Sequence, residues 1–376
     1  MRFLHTADWH LGRRLFGYDL YEEQRDAMRQ LIEIAQEEKV DAVVVAGDLY
    51  DRQNPAEQAV AQLADFIQEI NLELKLPLLM INGNHDSAVR LGVGNQWYQQ
   101  TNFYLHTQLS QAFEPIEMEN VQFFLLPYFE LYEARQFFED DQIRTLEQAI
   151  TLVVEQMQKH LVAGKQHVLV AHFFAAGSQH SDSETTISVG GLDAVPINLL
   201  APFDYVALGH VHNKDALQQK LVRYSGSLLK FSLSEAHQTK GVLIVDTDPQ
   251  ISVHFRPIKQ LHEVQNIQGE FSDLTNNDYL RTHHVDQTAY TGIVLEDTNV
   301  ISNASQYLRD KFPRFLMMSR AHGLATYTEK KITASQLQSP LKLLSDFYED
   351  ATQTTLSTAQ KKVAENALKE ADECDL

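Results

Sequence analysis

The sequence predicts an α/β fold in which two packed sheets are flanked by outer helices, with a small α/β unit and a C-terminal helical tail appended. Three observations carry that expectation. Apolar, β-branched runs such as Ala42-Val43-Val44-Val45 and Leu78-Leu79-Met80-Ile81 alternate with amphipathic stretches over the first part of the chain, the pattern of parallel strands joined through helices. Further strand-like runs follow at close spacing up to residue 257. Around residue 260 the character changes, and the remainder reads as separate units.

In chain order, a strand is expected at 1–7, then a helix over Asp19 to Lys39 with Leu20, Ala27, Leu31 and Ile34 on one face and charged residues elsewhere. A strand at 41–46 follows. Asn54 and Pro55 mark the next helix start, Asn as N-cap and Pro at the first helical position, before a strand at 77–81. Such alternation implies parallel strands with right-handed crossovers. Strands are expected at 121–126, 167–172, 204–209, 221–225, 241–246 and 251–257, with a long helix over 142–161. The close spacing of the last three predicts antiparallel additions. The domains are drawn at 1–260, 261–335 and 336–376. The second holds a strand Gly292 to Leu295, a helix Ala304 to Lys311 and a strand Phe315 to Met318. The third is a helical tail with starts at Ser339-Pro340 and at a capping box, Ser357 with Gln360. Its apolar stripe, including Leu341, Leu344, Val363 and Leu368, suits packing on its own domain or on a partner.

At 376 residues and 44% hydrophobic content, the chain is long enough for one large domain plus smaller additions. No apolar run approaches the ~20 residues a membrane helix needs, and Met1 leads straight into a core strand, so a soluble, cytoplasmic protein with no membrane partner is expected. The single cysteine, Cys374, cannot form an internal disulfide and suits a reducing compartment. Lys and Arg number 31 against 51 Asp and Glu, a net charge of -20. That balance excludes a grip on nucleic acid by overall charge. Any such contact must be local, through metal ions, a few placed cations, a dimer or a partner.

Five motifs, each just past an apolar run, carry the chemistry: Asp8-Trp9-His10, Gly47-Asp48-Leu49-Tyr50-Asp51, Gly83-Asn84-His85-Asp86, His172, and Gly209-His210-Val211-His212. Residues beyond strand carboxyl ends converge on one crevice in layered α/β proteins, and together these read as a two-metal phosphoesterase. Asp8 with His10, and His210 with His212, stand two apart, a spacing that in extended chain aims both side chains to one side. Asp48 can bridge two cations, and Asn84 ends a turn where glycines let backbone come close. Imidazole, carboxylate and amide donors suit Mn, Fe, Zn or Co. His85, next to Asn84 in the turn, is the candidate general acid that protonates the leaving oxygen. The other histidines, His5 and His106 among them, are read as structural.

In this order the motifs resemble the calcineurin-like metallophosphoesterase superfamily. His5-Thr6-Ala7-Asp8-Trp9-His10-Leu11-Gly12, Gly47 through Arg52, Val189-Gly190-Gly191, Asp204 through His212 and Tyr224-Ser225-Gly226-Ser227 narrow the resemblance to the SbcD family of bacterial nuclease subunits, which pair with the ATPase SbcC. It spans essentially the whole chain. The resemblance implies a two-sheet metallophosphoesterase sandwich, a small α/β capping domain and two Mn ions per chain. Asp8, His10, Asp48 and His212 would hold one ion; Asp48, Asn84, His172 and His210 would hold the other, with Asp48 bridging and His85 catalytic without being a ligand. It further implies 3'-to-5' exonuclease action on double-stranded DNA, endonuclease action on single strands and hairpins, a role in DNA repair, recombination and replication, a homodimer, and ATP-dependent control by SbcC. In this family the second domain caps the site and contacts DNA, and the C-terminal helices bind the base of the SbcC coiled coil. One departure is Asn213-Lys214-Asp215, where many relatives carry a proline-containing turn. Arg13 and Arg14, then Arg90 and Lys230, are the candidate DNA contacts. A phosphomonoesterase or protein phosphatase would use the same metal cage, but has no evident use for the cap and tail.

Overall fold

The computed structural model describes residues 1–179, 182–183, 194–299, 301–321, 341–342, 344–345, 348, 352 and 354–374. Val189-Gly190-Gly191 and the helix start at Ser339-Pro340 lie outside the described residues. The chain forms two compact units, Met1–Gln265 and Asn266–Leu376.

The first unit is built on two sheets. One has six strands: β1 (Arg2–Thr6), β2 (Ala42–Ala46), β3 (Leu78–Ile81), β4 (Phe103–His106), and a hairpin of β10 (Gly241–Asp246) and β11 (Ser252–Pro257), in the order β11-β10-β1-β2-β3-β4. The other has five: β5 (Ile116–Met118), β6 (Val121–Leu125), β7 (Gln166–His172), β8 (Tyr205–Gly209) and β9 (Val222–Tyr224), in the order β9-β8-β7-β6-β5. β1 through β4 run parallel, as do β6 through β9. This is the predicted α/β sandwich.

Its inner layer follows the period of two that strands impose. Phe3, Val44, Ala46, Leu79 and Ile81 from one sheet meet Phe123, Leu125, Val168, Val170 and Tyr205 from the other. The Phe3 ring meets Phe123 edge-on at 5.3 Å and Tyr205 at 5.9 Å, each pair adding about 0.5–1.5 kcal/mol beyond its burial. On the outer face of the five-stranded sheet, Leu169, Ala171, Val206 and Leu208 share a core with Ile150, Val153, Val154 and Met157 of a helix spanning Leu146–Gln158. Strands covered on both faces read as unbroken apolar runs, which is why they were visible in the sequence.

Three local expectations change. β9 pairs parallel with β8, not antiparallel, because the loop over 210–221 is about a dozen residues long, enough for a crossover. β4 and β5 went unread because runs of four and three residues carry too little periodicity. The second helix, Glu57–Ile67, has Ala56 as N-cap with no side-chain cap, since the Asn54 side-chain oxygen Oδ1 instead accepts a hydrogen bond from Arg90.

His5 is fully buried. Its Nε2 lies 3.2 Å from the Leu208 carbonyl and so carries the proton, and its Nδ1 accepts from the Tyr205 hydroxyl at 3.0 Å. Burial lowers its pKa to about 3. Below pH ~6.5 the unfolded chain gains a proton that the folded ring refuses, so this contribution to stability is full at neutral pH and falls steadily as pH drops toward 3. At pH ~5 the loss is about 2 kcal/mol. Urea unfolding of the metal-free chain at the two pH values should show it, and His5→Gln should reduce the difference; an equal drop in both proteins would assign it to other groups.

The second unit contains a three-stranded sheet of β12 (Val264–Gly269), which begins at the boundary, β13 (Tyr290–Leu295) and β14 (Phe315–Arg320), in that order. Leu274, Leu280, Ile293, Leu295, Leu308 and Phe312 form its core. A helix follows over Thr358–Cys374, and the expected capping box is formed: Ser357 Oγ accepts from the Gln360 amide at 3.4 Å while Gln360 Oε1 accepts from the Ser357 amide at 2.9 Å. Among the described residues no helix is long and apolar enough to cross a membrane.

Candidate metal centre

The strand registers bring the motifs to one edge of the sandwich. Thr6 pairs with Val45, Ala46 with Ile81 and Gly209 with His172, so the carboxyl ends of β1, β2, β3, β7 and β8 are level within each sheet. Backbone bonds continue the β1–β2 pairing past the strands, from the amides of Asp8 and His10 to the carbonyls of Gly47 and Asp48 at 3.1 and 3.0 Å.

Beyond the strands the backbone is not extended. Asp8, His10, Asp48 and His210 all have positive φ, at 53°, 45°, 51° and 94°. The expected same-side aim of Asp8 with His10 thus comes from left-handed turns and not from strand alternation. Left-handed backbone costs a non-glycine residue about 1–3 kcal/mol and collects at functional sites. Gly83 shows why its turn needs glycine: a Cβ there would clash with Asp48 Oδ1 and the Asp48 amide.

All seven predicted donors are brought together. His10 Nε2 stands 3.0 Å from His212 Nε2 and 3.6 Å from Asp48 Oδ2, with Asp8 grouped beside His10 and His212. Across the site, Asn84 Oδ1 lies 3.0 Å from His172 Nε2 and 3.1 Å from His210 Nδ1, and His172 Nε2 lies 3.4 Å from Asp48 Oδ2. Asp48 Oδ2 is therefore within reach of both sets. Adjacent ligands of an octahedral ion with ~2.1 Å bonds stand about 3.0 Å apart, so these spacings fit divalent cations. Two buried polar atoms of the cluster, Asp8 Oδ2 and His10 Nδ1, have no hydrogen-bond partner among the described residues.

Protonation points the same way. Burial, with Asp48 adding to it, pushes the Asp8 carboxyl up to about 6 and Asp86 up to about 7. Burial lowers His210 to about 3 and His10 well below its usual value, leaving neutral rings with lone pairs to offer. Burial opposes charge on His172 too, but Asp48 and Asp8 hold it up at about 9. Its proton supplies there the positive charge that a cation would bring. His172 Nδ1 donates to the Ala46 carbonyl at 2.8 Å, and His212 Nδ1 lies 2.7 Å from Ser183 Oγ, so both rings aim Nε2 inward.

His85 lies beside this cluster, its ring 4.7 Å from that of His10 and its Nδ1 donating to the Asp51 carbonyl at 2.9 Å. Its backbone amide donates to Asp48 Oδ1 at 3.0 Å. Asp86, quoted in the sequence only as part of a motif, accepts from the amides of Leu49, Tyr50 and Gly83 and so ties two motif turns together. Asp51 also groups with His10 and His85, which sequence spacing did not single out.

Two of the proposed DNA contacts are engaged elsewhere. Arg13 donates to the Ser183 carbonyl, pairs with Asp51 at 3.5 Å and stacks on Phe231, and Lys230 is buried against Glu263 at 2.6 Å. Arg14 is exposed. The Asn213-Lys214-Asp215 departure folds as an Asx-turn, with the Asp215 amide donating to Asn213 Oδ1 at 3.0 Å.

A family model described as calcineurin-like phosphoesterase matches residues 1–214, a span that contains every proposed ligand and His85. The SbcD subunit of the nuclease SbcCD from Staphylococcus epidermidis is 33% identical over 371 residues, covering 98% of this chain and 98% of that protein. Among solved structures, a Thermus thermophilus protein is 11% identical over 69% of this chain and 99% of its own, with a TM-score of 0.43. A dimetal phosphatase from Danio rerio is 13% identical over 69% of this chain and 98% of its own, with a TM-score of 0.39.

Proposed function

The chain belongs to the calcineurin-like phosphoesterase family and, within it, to the SbcD family of nuclease subunits, and from that premise we propose that it is a DNA nuclease subunit that works with an SbcC ATPase. The reaction is phosphodiester hydrolysis, as 3'-to-5' exonuclease on double-stranded DNA and endonuclease on single strands and hairpins, in the cytoplasm, for DNA repair, recombination and replication. The observation that carries this reading is the pair of donor sets sharing Asp48, with His85 beside them.

Asp8, His10, Asp48 and His212 are assigned to one Mn ion, and Asp48, Asn84, His172 and His210 to the other. Cations held by these residues would activate a water and offset charge on the phosphoryl oxygens. The chain does the rest. The Ala46 carbonyl and Ser183 hold the His172 and His212 rings in the tautomer that leaves Nε2 to donate. The Asp51 carbonyl holds His85 Nδ1, so the proton for the leaving oxygen comes from Nε2. Cleavage of a labelled hairpin and a blunt duplex with Mn, Mg or EDTA, with and without SbcC and ATP, tests the assignment. Manganese-dependent cutting supports it; turnover of p-nitrophenyl phosphate with no cutting of DNA under any of these conditions would move the chain to the phosphatases.

The remaining parts take roles in the same machine. The domain at 261–335 is proposed to cap the site and contact DNA, and the tail at 336–376 to bind SbcC. Deleting the tail should spare manganese-dependent cleavage and abolish capture by SbcC in a pull-down, and retained capture would refute the role. The working unit is proposed to be a homodimer. Val89, Val93 and Trp97 are 84%, 68% and 78% exposed and line one surface depression, an apolar patch that suits contact between copies. Trp97→Glu is expected to shift the chain to a monomer in light scattering, and an unchanged mass would place any dimer contact elsewhere.

A further inference from the structure

Behind His212 stands a buried chain of polar groups, of which the sequence motifs contain only Ser227. Ser183 Oγ donates to Glu235 Oε1, which leaves it to accept a hydrogen bond from His212 Nδ1. Glu235 Oε2 pairs with Lys240 Nζ at 2.5 Å, and Lys240 Nζ in turn donates to the His212 carbonyl and to Ser227 Oγ, both at 2.9 Å. The Ser227 amide also bonds the His212 carbonyl, at 3.2 Å. The ring and the main chain of one residue are thus gripped by one connected set of groups.

Glu235 and Lys240 are both buried, and the carboxylate is fully hydrogen-bonded, with the Phe231 amide and Ser232 Oγ as further donors at 3.3 and 3.1 Å. A buried ion pair is poor value for stability, since well-packed apolar side chains of the same volume do as well or better. The placement behind a proposed ligand accounts for keeping it. A carboxylate behind a ligating imidazole fixes its tautomer and strengthens it as a donor. By contrast, the His172 Nδ1 hydrogen bond goes to the neutral Ala46 carbonyl, with Asp8 Oδ1 3.9 Å away, and His10 Nδ1 has no hydrogen-bond partner among the described residues, its nearest carboxylate being Asp51 at 4.0 Å.

We propose that Glu235 is a positioning residue that acts through Ser183 to lock His212 with its proton on Nδ1, raising the cation affinity of the donor set containing His10 and His212. This rests on the two-metal reading above. The first readout needs no metal: side-chain nitrogen NMR of the metal-free chain should show His212 as the Nδ1–H tautomer, and as a mixture in Ser183→Ala. The second is manganese titration by calorimetry. Ser183→Ala and Glu235→Gln should each weaken one of two binding events by about 10- to 100-fold and leave the other unchanged, while Ser183→Thr, which keeps the hydroxyl, should retain wild-type binding. Wild-type uptake of two ions with Ser183→Ala unchanged in both readouts would overturn the relay alone. Equal weakening of both events would overturn it too, as general loosening of the site. A wild-type chain that takes up no cation would remove the two-metal reading, and the relay with it.

Discussion

His85→Gln is expected to lower DNA cleavage by about a thousandfold while the chain still takes up cations as the wild type does. The separation of the two effects follows from geometry. His85 belongs to neither donor set, and the bond that links its position to Asp48 comes from its backbone amide, which glutamine retains. What disappears is the imidazole held by the Asp51 carbonyl, the proposed proton donor. Metal analysis of the purified variant beside a hairpin-cleavage assay measures both, and bis-p-nitrophenyl phosphate sharpens the test. Its leaving group departs without protonation, so the variant should cleave it at close to the wild-type rate. A variant that loses metal along with activity, or is equally slow on both substrates, would sink the general-acid role.

Asp48→Asn should do the opposite and lose metal first. One carboxylate oxygen stands 3.6 Å from His10 Nε2 and 3.4 Å from His172 Nε2, so a single substitution removes charge from both sets. Changing a group behind a metal ligand costs about 10- to 100-fold in affinity, and a group proposed to be shared by two ions should cost more than that for each. The amide oxygen of Asn can still accept from the His85 amide, so the fold of the turn should survive. Calorimetric titration with manganese checks this: retention of either ion at wild-type affinity would refute the bridge.

Much of this arrangement was legible in the amino-acid order, and the reason is specific. The donors stand immediately after strands buried on both faces, so the apolar runs that mark the strands also mark where the chain emerges at a common edge. Pairings made by side chains distant in sequence were not legible. Nothing in the chain says that Lys230 would be taken by Glu263, that Arg13 would be spent on Asp51 and the Ser183 carbonyl, or that Glu235 would reach His212 through Ser183. The direction of β9 was misread because spacing alone does not separate a hairpin from a crossover. Asp8 and His10 converge through left-handed turns and not through strand alternation, and positive φ at aspartate and histidine leaves no mark in the sequence.

Those left-handed positions have an evolutionary reading. At Asp8, His10, Asp48 and His210 glycine would adopt the observed backbone without strain, and at Asp8 it would also delete a buried carboxylate that burial and Asp48 disfavour. Selection for thermal stability alone, applied to the metal-free chain, therefore weighs that relief of strain against the packing of the buried rings and the charge that Asp8 and Asp48 balance on His172, and metal binding does not enter. A library of this protein screened only for heat resistance does not see the loss of a ligand, so a thermostable version has to be sought with the cation present, where ligand loss carries its own penalty.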